Sequence, residues 1–217
     1  MWDKFKEQFN LLKLEKKKLC LVTNSDKFVS NELFLDAIAS AIQGGADIIQ
    51  LKETTFPDVV LAEIAKKIRI LCDEFGATFI VNSRCDIAQI AEADGVHLEP
   101  GCVSVHDARM ILGEHSIIGV TTTNTEEVIK AYNEGADYIT FGPLYTSKRK
   151  ARKSVSPDDI DWINENIDIP VFITGEIDLD NIIDVVQCGA TKIVLCEPLM
   201  YAQIPEETAH EFLKFLP

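Results

Sequence analysis

Gly135-Ala136-Asp137-Tyr138-Ile139-Thr140-Phe141-Gly142-Pro143 carries the reading of the fold. Gly135 can end a helix in the left-handed conformation, Tyr138 to Phe141 is a short β-rich apolar run, and Gly142-Pro143 breaks it. The same opening recurs at Gly45-Ala46-Asp47, Ala93-Asp94-Gly95 and Gly189-Ala190-Thr191. Steps of roughly 45 to 55 residues, falling at every second strand, mark a repeated βα unit rather than two unlike domains.

Working outward, strands are predicted at 19–23, 47–52, 78–82, 95–98, 117–122, 138–141, 170–174 and 192–196. Between them the periodicity predicts helices over 32–43 with Asn31 as N-cap, then 58–75, 86–93, 104–112, 125–134, 156–165, 179–187 and 205–215. Continuous apolar strands joined by helices must be parallel and covered on both faces. The predicted class is therefore α/β, a (β/α)8 TIM barrel occupying 18–217 as a single domain. An open doubly wound sheet competes, but no Gly-x-Gly-x-x-Gly follows the first strand. Residues 1–17 read as an extra N-terminal amphipathic helix with Trp2, Phe5, Phe9 and Leu12 on one stripe. That stripe is expected to pack on the body of the protein or on a partner subunit, as in a homodimer, rather than on a membrane.

The chain has 217 residues, 47 % of them apolar, and a formal net charge of -14. Between Leu144 and Ser156, however, Lys148, Arg149, Lys150, Arg152 and Lys153 stand together with no acid. Such an island suits a small anion, or is a solvated lysine loop; nucleic acid and anionic membranes would be repelled by the rest of the chain. No apolar run is long enough to span a bilayer and the charged start lacks a signal-peptide pattern, so a cytoplasmic location is expected. The six cysteines are widely spaced, with no Cys-x-x-Cys pair, and the four histidines are scattered. Reduced thiols are expected, not a disulfide framework or a zinc site.

In a barrel the working face is built from the loops after the carboxyl ends of the strands. Those ends read Thr23-Asn24, Gln50-Leu51-Lys52-Glu53, Asn82-Ser83-Arg84, His97-Leu98-Glu99, Thr121 to Asn124, Tyr145 to Lys150, Thr174-Gly175-Glu176 and Cys196-Glu197. Amides, hydroxyls, Lys52, Arg84 and the basic loop would share one rim, which suits phosphate or pyrophosphate.

At these residues the chain resembles the thiamine phosphate synthase and thiazole tautomerase family. The likeness is carried by Val22-Thr23-Asn24, Gln50 to Glu53, Val81 to Arg84, Ala93 to Leu98, Ile118 to Thr121 and Gly135 to Pro143, in order from Leu19 to about Leu199. It implies a transferase of thiamine biosynthesis that joins a hydroxymethylpyrimidine pyrophosphate to a thiazole phosphate and releases pyrophosphate. The implied partners are thus small phosphorylated heterocyclic substrates. By the same resemblance Lys52 and Lys150 face pyrophosphate as catalytic cations, and Gln50, Asn82, Thr121, Ser147 and Gly175 bind substrate.

The departures are as specific as the matches. Ser83 and Cys102 stand where the resemblance implies two aspartates on Mg2+, and a hydroxyl and a thiol do not replace hard anionic ligands. No metal ligand is therefore assigned. Thr54 replaces a lysine, Arg149 a threonine, Glu176 the second glycine of a Gly-Gly pair, and Glu197 a small residue near the thiazole phosphate. Thr123 stands where the tautomerase has its proton-transferring histidine, and His97 reads as packed structure rather than as a base. Three activities stay open: a divergent synthase, a non-catalytic or regulatory ligand-binding member, and a tautomerase-like isomerase.

Overall fold

All eight strands form and close on one another in chain order in the computed structural model, which describes residues 13–146 and 155–217. They are β1 (Leu19–Val22), β2 (Ile48–Leu51), β3 (Thr78–Asn82), β4 (Gly95–Leu98), β5 (Ile117–Thr122), β6 (Tyr138–Phe141), β7 (Val171–Ile173) and β8 (Ile193–Leu195). Every neighbouring pair is parallel, and β1 meets β8 with Cys20 opposite Val194. The fold is a (β/α)8 TIM barrel.

Nine helices lie among the described residues: α1 (Asn31–Gln43), α2 (Asp58–Phe75), α3 (Cys85–Ile90), α4 (Val105–Leu112), α5 (Thr125–Asn133), α6 (Pro157–Asn166), α7 (Ile182–Gln187), α8 (Glu197–Met200) and α9 (Pro205–Leu213). Two expectations are corrected. The N-cap of α1 is Ser30, not Asn31: Ser30 is extended and its hydroxyl accepts from the Leu33 amide at 3.3 Å, while Asn31 is already helical. The single turn α8 was not predicted, because four residues cannot display a helical period. Elsewhere local chemistry sets the ends, as where Ser156 and Asp159 form a capping box ahead of Pro157.

Successive side chains of a strand point to opposite faces, and this sorts the core into two. One cluster, including Leu21, Ile49, Phe79 and Ile139, lies with the apolar faces of the helices. The other fills the barrel interior with Cys20, Ile48, Ile80, Ile117, Tyr138, Phe172 and Val194. Leu14, fully buried, belongs to this interior cluster. The chain before β1 is tied to the same end of the barrel, since Lys13 pairs with Asp94 and Lys192 Nζ donates to the Lys17 carbonyl at 2.7 Å. Trp2, Phe5, Phe9 and Leu12, the stripe of the expected N-terminal helix, lie outside the described residues.

The repeat at every second strand has a physical cause. Asp47, just before β2, accepts from the Lys18 and Leu19 amides at the start of β1, at 2.7 and 3.2 Å. Asp94, before β4, accepts from the Phe79 amide of β3 at 2.7 Å, and Asp137, before β6, from the Ile118 amide of β5 at 2.8 Å. Each aspartate accepts from a backbone amide at or beside the start of the preceding strand. Arg69 and Arg109 complete two of these ties, each 2.9 Å from its carboxylate, Asp94 and Asp137.

Candidate active site

Parity along the strands delivers a polar layer above the apolar interior. On β2 the inward face runs Ile48, Gln50, Lys52; on β4 it reaches His97 and Glu99; on β5 it reads Ile117, Gly119, Thr121; and on β6 Tyr138, Thr140. These upper positions open on a cavity of about 730 Å3, whose lining includes Gln50, Lys52, His97, Glu99, Thr121 and Gly175. The volume lies within the usual range for small-molecule sites.

His97 is the buried centre of the floor, 1 % exposed. Its Nδ1 is 3.0 Å from the Tyr138 hydroxyl and its Nε2 is 2.8 Å from Thr121 Oγ1, with Thr140 Oγ1 at 3.4 Å. Burial pushes the imidazole down to about 4, Glu99 working against that shift and Lys52 with it. A neutral ring, donating at one nitrogen and accepting at the other, fits the three hydroxyls around it.

At the rim the cations and amides meet a carboxylate of the chain itself. Glu99 Oε1 accepts from Lys52 Nζ at 2.5 Å and from Asn82 Nδ2 at 3.2 Å. Ser83 Oγ donates to Asn82 Oδ1 at 3.2 Å, which turns the amide nitrogen towards Glu99. Burial raises the Glu99 carboxyl, but Lys52, Asn82 and the charge attraction outweigh it and leave the group below its ordinary range. Glu99 lines the cavity on this side, and Asn82 stands behind it.

The other rim acids have separate partners or face the opening. Glu53 accepts from Thr23 Oγ1 at 2.8 Å and Ser25 Oγ at 2.6 Å, bracing the loop after β1. Glu197 pairs with Lys27 at 3.4 Å, both exposed. Glu176 is exposed and lines the cavity, while its amide donates to the Tyr145 carbonyl at 3.1 Å. Gly175 before it has φ +148°, and a Cβ there would lie 2.8 Å from the Leu144 nitrogen, so the loops after β6 and β7 touch backbone to backbone.

Of the residues singled out in the sequence, Gln50, Lys52, Thr121 and Gly175 thus share one cavity, and Asn82 reaches it through Glu99. Ser147 and Lys150, with the rest of the basic loop, lie outside the described residues. The segment leaves from Thr146, which lines the cavity, and returns at Val155, whose amide donates to the Pro143 carbonyl at 2.9 Å. Arg84 is corrected: it turns from the cavity to Asp58 at 2.9 Å and Asp86 at 2.6 Å. Glu99 was visible as a strand end, but its partner Lys52 is 47 residues away. Its shared parity with His97 was the available signal.

Ser83 and Cys102 do not fit Mg2+. The Ser83 hydroxyl is engaged with Asn82 and the His97 carbonyl, Cys102 is an exposed thiol, and neither offers an anionic oxygen. Among the described residues no group of three or more His, Cys, Asp or Glu side chains is placed to hold a metal ion. Among those residues, too, no helix is long and apolar enough to cross a membrane.

The sequence model of the thiamine monophosphate synthase family matches residues 19–199. The chain belongs to this family. A thiamine-phosphate synthase of Chlorobium luteolum is 34 % identical over 200 residues, covering 91 % of this chain and 92 % of the relative. The thiamine-phosphate synthase of Thermosynechococcus vestitus is 36 % identical over 210 residues, covering 96 % of this chain. The chain spans only 58 % of that relative's own length. Among solved structures, a thiamine phosphate pyrophosphorylase from Pyrococcus furiosus superposes with a TM-score of 0.84 at 29 % identity, covering 94 % of this chain and 96 % of the other. Membership of the thiamine monophosphate synthase family thus covers the barrel as well as the cavity motifs.

Proposed function

We propose that this chain couples a hydroxymethylpyrimidine pyrophosphate to a thiazole phosphate, releasing pyrophosphate and forming thiamine phosphate. The observation that carries the reading is the convergence of Gln50, Lys52, Thr121 and Gly175 on one cavity, in a chain of this family. In the reaction the bond between the pyrimidine methylene carbon and pyrophosphate oxygen breaks, its electron pair leaving with pyrophosphate. The thiazole nitrogen then donates its lone pair to the methylene carbon. No side-chain nucleophile is required.

Gln50 and Thr121 would hold the pyrimidine edge, and Asn82, Ser147, Lys52 and Lys150 the pyrophosphate. Gly175, in the loop after β7, would meet the thiazole phosphate. The two lysines act by stabilising charge that grows as pyrophosphate departs. The segment carrying Lys150 starts after Thr146, which lines the cavity, and ends at Val155, which is bonded to the cavity-lining Pro143; this supports its assignment there.

Purified protein incubated with both substrates, with and without Mg2+, should form thiamine phosphate and pyrophosphate in equal amounts by chromatography. No product above the protein-free background would remove the synthase reading. Non-catalytic ligand binding is the second reading, favoured by the Glu99 carboxylate on Lys52 and Asn82. Saturable heat of binding without product would support it. Nothing favours the isomerase, because Thr123 offers no titratable group and is bonded to Glu127 through its amide at 2.7 Å and its hydroxyl at 3.0 Å.

A further inference from the structure

We infer that Glu99 is a built-in competitor at the anion subsite: its carboxylate holds Lys52 and Asn82, and an incoming phosphate or pyrophosphate must displace it. This inference rests on the proposed function only in placing an anion at Lys52.

Three observations lead there. First, one oxygen, Glu99 Oε1, lies 2.5 Å from Lys52 and 3.2 Å from Asn82, so a negative charge and one hydrogen bond from each group already stand where an anion would meet them. Second, the contact is held in place: Ser83 fixes the Asn82 amide, and the Lys52 backbone amide is anchored to Thr23 Oγ1 at 3.0 Å. Third, among the described residues Glu99 is the acid found on Lys52 and Asn82, since Glu53 is bound to Thr23 and Ser25 and Glu197 to the exposed Lys27. Glu99 therefore does more than add negative charge to the rim. It holds the groups that would recognise the ligand, and an anion that displaces it gains only the difference between its own contacts and those it breaks.

Removing the charge while keeping the shape should release the subsite. Inorganic pyrophosphate is titrated calorimetrically into the wild-type chain, Glu99→Gln, Glu99→Ala, and each variant combined with Lys52→Ala. The expected result is affinity at least about fivefold higher in Glu99→Gln or Glu99→Ala, with the gain abolished when Lys52→Ala is added. A gain below about fivefold in both variants, or one that survives loss of Lys52, overturns the assignment. Circular dichroism and urea midpoints identify any variant that has lost its fold, and Glu99 is a partly exposed rim residue, so two replacements give independent chances of a folded protein.

Product formation measured on the same proteins separates the two conclusions. Tighter pyrophosphate binding without thiamine phosphate in any variant would discard the coupling reaction and keep Glu99 as the occupant. Thiamine phosphate formation with unchanged pyrophosphate affinity would do the reverse.

Discussion

His97 Nδ1 and the Tyr138 hydroxyl stand 3.0 Å apart inside the barrel, with Thr121 closing the other side of the ring at 2.8 Å. The folded imidazole is pushed down to about 4 from an ordinary 6.5, burial being the main cause. Between those values the unfolded chain binds the extra proton, so stability is full above 6.5 and declines as pH falls towards 4. The loss amounts to about 3 kcal/mol when complete. Urea unfolding at stepped pH should show this slope, and His97→Asn should flatten it. An equal slope in both proteins would mean that His97 is not held neutral.

Gly119 gives the Tyr138 ring its place. A Cβ at 119 would fall 2.1 Å from one ring carbon and 2.6 Å from the hydroxyl oxygen. The ring cannot yield freely, because it is buried and bonded to His97. Gly119→Ala should therefore cost roughly 1–3 kcal/mol and displace the histidine. The His97 ring resonances in an NMR spectrum, together with the urea midpoint, check both effects. Unchanged resonances would refute the coupling between Gly119 and the floor of the site.

Asp94 gathers Lys13, Arg69 and the Phe79 amide around one side chain. Asp94→Ala should destabilise the fold by about 2–4 kcal/mol, since it removes a cap and leaves the half-buried Arg69 short of a partner. Asp73 also pairs with Arg69, at 2.6 Å, but its side chain is 68 % exposed. Asp73→Ala should cost less than about 1 kcal/mol. Equal losses in the two variants, read from chemical denaturation, would contradict the distinction.

The six cysteines are free thiols with different access. Cys20 and Cys72 are buried, and burial pushes the Cys72 thiol up to about 12. Cys102 is exposed. Brief alkylation of native protein, followed by peptide mass spectrometry, should modify Cys102 well before Cys20 or Cys72, whose labelling should await denaturant. Comparable rates at Cys72 and Cys102 would contradict the packing of α2 on the barrel.

The strands were readable because burial on both faces writes them as uninterrupted apolar runs. β3, β4, β5 and β6 have the predicted ends, while β7 and β8 begin one residue later and end one residue earlier than their runs suggested. Of the flanking residues, Pro170, Thr174 and Lys192 still share backbone bonds with neighbouring strands, as in the Thr174 amide donating to the Phe141 carbonyl at 3.0 Å, so the differences are confined to single terminal residues. Gln50, Lys52 and Thr121 could be placed at the mouth from strand ends alone. The bond between Lys52 and Glu99 could not, for it spans β3 and depends on how closure of the sheet brings the tops of β2 and β4 together. Arg84 misled for the opposite reason: it follows a strand, yet nearby Asp86 and the start of α2 draw its guanidinium outward.

The aspartate ties have a consequence for how such a chain can be rearranged. Asp47, Asp94 and Asp137 bind β1 to β2, β3 to β4 and β5 to β6, whereas no carboxylate of this set crosses from β2 to β3 or from β4 to β5. New termini opened in the segments between those couples would keep every such clasp within one module. Cuts inside a couple would sever one, making the two-strand module, rather than the single βα turn, the natural unit for permutation or grafting.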